Sequence, residues 1–509
     1  MRQLSEHDAA YIYSDSAHAN SNVTLLHIYD QSTAPGRKVR FKQILAHVES
    51  RLDRLPVFRQ KILRVPLDLD YPYWIEDESF NLEYHVRHIA LPKPGDWRQF
   101  CIQASRIHAR PFDLQRPLWE IYVIEGLDSF LDLPVGSFAV LLKIHHAAID
   151  VAHGNEITTL LHDVSPDSRP PAPPAPWFPE SAPGNLSLLV RAGFNVATFP
   201  LRMAQPLTRN WASIKSTVRT FIGEFLGWPH EFPMTRFNTV VSPHRVFETR
   251  RFALKDFKAI RGLAADATVN DVVLAICAGG LRRYLDTQGE LPDDSLVAAA
   301  PIAVRAASKT KKTQASFSWV RVALGTDILD PVVRLAAIQA TTSSSAVMAQ
   351  AVGARELTHL AQYAPSAAIA VTSKMLRSAS ALLGDWTPLA NCAINNIPGP
   401  QVPLYLQGAR LTYLSAIMPI ADGMGLVFSV TSYSDMIAIS FTACYEQLPD
   451  PEVFAQCLRD SFQEYLALVR RAARRKARPF AANAARRKVA AGRTQAPRRK
   501  TAARAATAA

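Results

Sequence analysis

A chain of 509 residues with 48% hydrophobic side chains exceeds the roughly 250–300 residues at which a single core stops growing, which excludes one small module and predicts two domains. Its formal charge of +13 is unevenly spread: residues 470–509 hold 14 Lys/Arg and no Asp/Glu, and subtracting those 14 leaves the rest at −1, so the body of the protein has no electrostatic case for nucleic acid. Five dispersed cysteines, at 101, 277, 392, 444 and 457, form no CxxC pair; they exclude a disulfide framework and a zinc knuckle, and a reducing cytoplasm fits them.

The opening stretch MRQLSEHDAAYIYSDSAHAN lacks the apolar core of a secretory signal, and none is expected. In FKQILAHVESRLDRLPVFRQKIL, Ile44, Leu45, Val48 and Leu52 share one helical face, with Pro56 ending the helix. Strands are expected in YPYWIED, LEYHVRHIAL and LWEIYVIEGL, and a helix in DWRQFCIQASRIHARPF. SFAVLLKIHH is a continuous apolar run of the kind that a strand covered on both faces requires. GNEITTLLHDV then reads as helix, so two histidines stand where a buried strand gives way to a loop. These elements make up a first domain, residues 1–165.

Residues 166–184, PDSRPPAPPAPWFPESAPG, place eight prolines in 19 positions, too many for a helix or a central strand. With the intermittent amphipathic signals that follow, residues 166–245 form a linker and crossover partly packed on the body. No stretch reaches the ~18 apolar residues of a membrane span; LSLLVRAGFNVATFPLRM, residues 186–203, comes nearest but carries Arg191 and Arg202.

A second domain spans residues 246–470. FETRRFAL alternates like a strand, LKDFKAIRGLAADATVNDVVLAICAGGLRRYLDTQG holds two helices with a turn near Thr268, and SLVAAAPIAVR is a buried strand. Asp330 and Pro331 open a helix as N-cap and first residue. AINNIPGP, GARLTYLSAIMPI and GLVFSVTSYSDMIAISFTAC add strands, and PEVFAQCLRDSFQEYLALVRRAAR closes the domain as a helix. Residues 471–509, rich in Ala, Arg and Lys and without core-forming periodicity, are expected to be a disordered basic tail.

The chemistry concentrates in KIHHAAIDVAHG, residues 143–154. Adjacent side chains of an extended segment point to opposite faces, so only one of His145 and His146 can face a given cavity. An imidazole titrates near neutrality; it can take a proton from a hydroxyl and return it to a leaving group, contributing roughly 10²–10⁴-fold. A histidine pair ending a strand can equally be core or surface. His145, His146, Asp150 and His153 carry metal-type atoms, but adjacent histidines diverge and no HExxH supports them, so no metal is expected. The GxSxG elbow of hydrolases, the GxGxxG fingerprint and the P-loop are absent from the sequence.

HHAAIDVAHG resembles the HHxxxDG motif of CoA-dependent acyltransferases in the chloramphenicol acetyltransferase-like superfamily. From Met1 to about Val469 the chain resembles one branch of it, the bacterial wax ester synthase/diacylglycerol acyltransferases. The likeness runs in order through YPYWIED, FNLEYHVRHIALPKPGDWRQF, RPLWEIYVIEGL, ATVNDVVLAICAGGLRRYL, LVAAAPIAVR, NNIPGP and PLYLQGARL. The resemblance implies an α/β (α+β) fold of two chloramphenicol acetyltransferase-like domains, each a mixed β-sheet flanked by helices. It also implies a tunnel between them that acyl-CoA and the acceptor enter from opposite sides.

On that resemblance His146 is the base that deprotonates a diacylglycerol or long-chain alcohol hydroxyl, with no acyl-enzyme. His145 and Asp150 support the turn, Asp150 paired with an arginine for which Arg305 is one candidate. Asn270 orients substrate or stabilises an oxyanion, unless it and Asp271 are ordinary capping residues. Pro117–Trp119 lies near the acceptor channel or simply packs, and Gly399 shapes the turn of NNIPGP. Acyl-CoA is a co-substrate, and no permanently bound cofactor is expected. The protein is expected in the cytoplasm, peripherally on the inner membrane face or on lipid inclusions; nucleic acid is not an expected partner, because the tail has no aromatic residue after Phe480. Val151 stands where the motif has glycine. That departure keeps open a weak or inactive member that binds acyl lipids or coats inclusions, and a different acceptor alcohol is a third reading.

Overall fold

The structure of the protein, a computed structural model, describes residues 1–127, 129, 133, 134, 136–149, 157, 161–167, 177–195, 197, 198, 232–304, 316–344 and 390–493. Its first part runs β1 (Arg2–Gln3), α1 (Glu6–Ser14), β2 (Asn22–Asp30), α2 (Phe41–Glu49), β3 (Gln60–Leu63), β4 (Tyr73–Glu76), α3 (Leu82–His85), β5 (Val86–Ala90), α4 (Trp97–Ala109), β6 (Trp119–Glu125) and β7 (Phe138–His145). After the linker come β8 (Arg245–Ala253), α5 (Leu254–Arg261), α6 (Val269–Thr287), β9 (Val297–Val304), β10 (Ser316–Ala323) and α7 (Pro331–Thr342). The chain ends through β11 (Cys392–Pro398), β12 (Tyr405–Leu406), β13 (Ala409–Ile417), β14 (Leu426–Tyr433), β15 (Met436–Cys444) and α8 (Pro451–Arg493).

Two six-stranded sheets organise these elements. The first has the order β12-β13-β2-β7-β6-β5 and the second β10-β9-β11-β14-β15-β8; β1, β4 and β3 make a small third sheet. Both large sheets are mixed: β5 runs parallel to β6, and β11 parallel to β9 and β14, among otherwise antiparallel neighbours. With helices packed on them, this is the two-domain α/β architecture expected from the sequence. Its domains, however, exchange chain. Strands β12 and β13, inside the segment expected to form the second domain, pair with β2 of the first sheet, Leu414 opposite His27 and Ile417 opposite Thr24. Loop and strand composition cannot show such an exchange, because β13 carries an apolar pattern that either sheet could bury.

β7 lies inside the first sheet, with Leu142 paired to Leu25 of β2 and Ile121 of β6, and every one of its residues is buried. Its continuous apolar run fits that position. The seam between the halves is apolar too: Phe100 and Ile107 of α4 and Leu141 of β7 pack with Phe247 of β8, Tyr413 of β13 and Ala438 of β15. Two polar pairs stand at the seam. The Trp97 indole N–H donates to Glu248 at 2.6 Å, and the Thr249 hydroxyl bonds that of Ser440 at 3.0 Å.

Local sequence accounts for most helix ends. Asp96 and Gln99 form a capping box on α4, and Thr268 and Asp271 form one on α6. Asp330 caps α7 ahead of Pro331, as expected. α6 presents Gly279 and Gly280 to α8, where an added Cβ would come within 2.2 Å of Ser461 Oγ and 2.5 Å of Leu458 Cδ2; the two helices approach as closely as they do because those positions have no side chain.

Three expectations need correction. α2 stops at Glu49, and Leu52 belongs to a separate turn of 3₁₀ helix over Leu52–Arg54. LEYHVRHIAL opens with a helical turn, α3, because Asn81 accepts the Glu83 N–H at 2.9 Å and starts it, and only Val86–Ala90 is strand. The tail expected to be disordered from residue 471 continues α8 as far as Arg493. Ala, Arg and Lys are strong helix formers whether or not they bury a face, so lack of core periodicity was the wrong criterion there. The linker's end lies along the small sheet: the Glu180 N–H donates to Glu76 at 2.8 Å, and helical residues 185–195 pack Leu188 and Ala192 against Val65, Tyr73 and Ile75.

Candidate functional site

His145 is the last residue of β7 and His146 the first of a 3₁₀ turn, His146–Ala148, so the strand ends between them. The break has a visible cause. The His145 N–H donates to Leu118 O at 3.0 Å, but the His146 N–H turns to Ser21 O at 2.8 Å, and the Ala147 N–H donates to His145 Nδ1 at 3.1 Å. Each amide of the bend thus has a partner outside the sheet ladder.

The two rings lie in different surroundings. His145 is fully buried; its Nε2 lies 2.9 Å from Asp15 Oδ2, and Phe112 meets it edge-on at 6.4 Å between ring centres. His146 is half-buried and stacks on Tyr11, with ring centres 3.9 Å apart and planes inclined by 18°. Burial, and after it the nearby Asp8 carboxylate, pushes the Tyr11 phenol up to about 12, so it presents a neutral ring face to the imidazole at neutral pH.

Beneath His145, on the same face of β7, Lys143 is wholly buried. Its Nζ donates to Arg110 O at 2.6 Å, lies 3.7 Å from Glu120 and sits 4.2 Å from the centre of the Phe112 ring. Burial pushes its pKa down to about 8 against the opposing pull of Glu120. Asn22, opposite His145 in the ladder, donates to His108 O at 3.1 Å and Arg110 O at 2.8 Å. A buried polar layer therefore backs the turn from the first sheet.

The loop between α1 and β2 braces it from the other side. Asp15 Oδ1 accepts the Ser21 N–H at 2.8 Å while Oδ2 meets His145. The second domain grips the same loop: His18 lies 3.1 Å from Asp422, and Arg245 of β8 donates to His18 O at 2.5 Å. The histidine turn thus stands where the two halves meet.

Other expected residues fall elsewhere. Asn270, on the first turn of α6, accepts from Asn396 Nδ2 at 3.4 Å and so belongs with the end of β11. Asp271 is the capping partner of Thr268 and also accepts the Thr342 hydroxyl at 2.7 Å. Trp119 packs: its ring stacks on Phe58 and His85, and its indole donates to Phe58 O at 2.7 Å. Gly399 lies so close to β14 that a Cβ would stand 2.1 Å from Ser432 O, which explains a glycine in NNIPGP. Asp150, Val151, His153, Gly154 and Arg305 lie outside the described residues. Among the described residues no group of three or more His, Cys, Asp or Glu side chains could hold a metal ion, and all five cysteines are buried free thiols.

Sequence reasoning missed Tyr11, Asp15 and Lys143. A lysine inside an apolar strand is a detectable signal, since a buried ammonium demands partners. Asp15 and Tyr11 gave none: they lie more than 100 positions from the histidines in a stretch unremarkable by itself.

The model of the wax ester synthase/diacylglycerol acyltransferase catalytic domain matches residues 4–273, and that of the WS/DGAT C-terminal domain matches residues 314–465. A Mycobacterium tuberculosis H37Rv protein whose name assigns it to the diacylglycerol O-acyltransferases is 30% identical over 472 residues, covering 92% of this chain and 90% of its own length. Another from that strain, similarly named, is 32% identical over 486 residues, covering 88% and 94%. A solved structure, the wax ester synthase/diacylglycerol acyltransferase from Marinobacter aquaeolei VT8, superposes with a TM-score of 0.66 at 24% identity, over 92% of this chain and 99% of that one, and supports the fold. With the catalytic-domain match spanning more than half of the chain and relatives alike along nearly all of it, this protein belongs to the wax ester synthase/diacylglycerol acyltransferase family.

Proposed function

We propose that this protein moves a long-chain acyl group from acyl-CoA to the hydroxyl of diacylglycerol or of a fatty alcohol, with His146 as general base. Membership of the family makes it an acyltransferase. The observation that carries the choice of His146 is the contrast between the two residues: both nitrogens of His145 are engaged in a buried turn, whereas His146 is only half-buried and stacks on Tyr11.

In this reading the hydroxyl oxygen attacks the thioester carbonyl while the imidazole takes the hydroxyl proton. The tetrahedral adduct collapses, the C–S bond breaks, and the imidazolium protonates the departing thiolate. One imidazole therefore serves both steps, and no acyl-enzyme forms. The acyl chain and acceptor would meet between the two sheets, next to the seam where the turn stands. Asp150 supports the turn. Asn270, by the family resemblance, orients substrate or donates to a developing oxyanion, a role that suits an amide. Acyl-CoA is consumed as a substrate, and no resident cofactor takes part.

Long-chain substrates partition into lipid, so the reading includes peripheral contact with a membrane face or lipid inclusion on the cytoplasmic side. Two features support it. Helical residues 185–195 bury Leu188 and Ala192 but expose Leu186, Val190 and Phe194, and the chain's basic residues gather at the end of α8 and beyond. No helix among the described residues is long and apolar enough to cross a membrane.

The enzymatic test supplies labelled palmitoyl-CoA with hexadecanol or diolein and measures ester and free CoA, which should appear in equal amounts. His146→Ala, with folding verified by circular dichroism, should be slower by roughly 10²–10⁴-fold. Equal yields from mutant and wild type would eliminate this base.

A further inference from the structure

We propose that Asp15 is the positioning residue of this site: its carboxylate holds the His145 ring in the Nε2–H tautomer and, with Ser21, sets the peptide from which His146 projects. The inference rests on the reading of His146 as the base and adds what keeps that base in place.

Three contacts carry it. His145 Nδ1 accepts the Ala147 N–H at 3.1 Å, so Nδ1 bears a lone pair and the ring proton must sit on Nε2. That Nε2–H points at Asp15 Oδ2, 2.9 Å away. The other oxygen, Oδ1, accepts the Ser21 N–H at 2.8 Å, and Ser21 O in turn accepts the His146 N–H at 2.8 Å. One carboxylate thus governs the amides of both residues 146 and 147, one through the Ser21 peptide and one through the His145 ring.

The loop's own construction makes this stiff. The Ser16 N–H donates to Ala19 O at 2.7 Å, Asn20 Nδ2 donates to Ala109 O at 2.9 Å, and His18 is held to Asp422 and Arg245 of the second domain. Asp15 therefore presents its oxygens from a fixed frame. Two of its partners among the described residues come from different elements, Ser21 just before β2 and His145 at the end of β7.

The chemistry separates aspartate from its isostere. Asparagine offers one acceptor oxygen and an NH₂ donor, so whichever way the amide turns, a donor meets a donor. If the NH₂ faces Ser21, that N–H loses its acceptor. If it faces His145, the ring can accept it only by moving its proton to Nδ1, where it opposes the Ala147 N–H. A carboxylate that fixes an imidazole tautomer acts through orientation without itself touching the reacting atoms.

The test uses the full-length protein. In the wild type, ¹⁵N spectra of histidine-labelled protein at pH 7.5 should show His145 as the Nε2–H tautomer; an Nδ1–H tautomer overturns the proposal without any variant. D15N should lower kcat on the order of ten- to a hundred-fold, the rate equivalent of one lost charge-assisted hydrogen bond, leave KM for palmitoyl-CoA nearly unchanged, and populate the Nδ1–H form of His145. A purely structural role would reduce the folded fraction while leaving kcat per folded molecule and the tautomer as they are, and that result overturns the proposal. An active His146→Ala enzyme overturns the underlying reading and this inference with it. Wild-type kcat in D15N beside an inactive His146→Ala enzyme overturns the inference alone.

Discussion

Lys143 shows how a single buried charge leaves a measurable trace. Its ammonium is enclosed by Arg110 O, Glu120 and Phe112, and burial brings its pKa down to about 8 from 10.5. Between those two values the unfolded chain binds a proton that the folded protein does not, so stability rises with pH through that window. Relative to Lys143→Met, the wild type should gain up to about 3 kcal/mol as pH climbs from 8 towards 10.5. Urea titrations of both proteins at several pH values check this, and a gap that does not change with pH would contradict it. At this scale the sequence disclosed residue types and little of their company. His145 and His146 stood out because they are adjacent, but nothing local distinguished the supporting ring from the proposed base. Asp15, separated from His145 by 130 positions, supplies that distinction.

Elements were more legible. Thr268, Asp330 and the apolar run before His145 each announce their structure within a few residues, because caps and periodicity are local physics. The tail of α8 shows where that logic was misapplied. Its backbone is helical to Arg493 although Pro479 stands inside it, and a proline there gives up one helical hydrogen bond. Residues 475–509 hold 11 Lys/Arg and no Asp/Glu. Each is worth about 1 kcal/mol near an anionic lipid surface. Removal of residues 475–509 should therefore leave turnover of detergent-dispersed substrates unchanged while weakening binding to phosphatidylglycerol vesicles in a salt-dependent way. Sedimentation with such vesicles decides it; undiminished binding would assign membrane contact to other surfaces.

At the scale of the whole molecule, buried histidines fasten distant segments. His108 of α4 bonds the Thr24 hydroxyl of β2 at 3.0 Å, and His47 of α2 bonds Leu161 O at 3.1 Å and Gln407 at 2.8 Å. Burial, then the neighbouring Arg245 and Lys143, lowers His108 to about 3; burial, then Arg51, lowers His47 to about 4; burial, then His162, holds His27 well below the ordinary value. As pH falls below about 6.5 the unfolded chain takes up protons that these native rings refuse, so stability falls, by up to ~1.4 kcal/mol per pH unit for each ring. His108→Asn, which keeps an acceptor for Thr24, should make the fall between pH 6.5 and 5 shallower by about one ring's share. Urea midpoints across that interval measure it, and an unaltered slope would refute it.

By itself the sequence determined the strand ending in two histidines, most helix starts, the mixed α/β composition and the family, all of which follow from periodicity, capping and motifs written over short distances. Only the tertiary structure decided that β13 completes the first sheet, that Lys143 lies enclosed, and that Asp15, Ser21 and Tyr11 surround the histidine turn. Those are contacts between segments far apart in the chain. Their partners are chosen by shape and by the need to pair every buried polar group, and neither leaves a periodic mark on the residues that satisfy it.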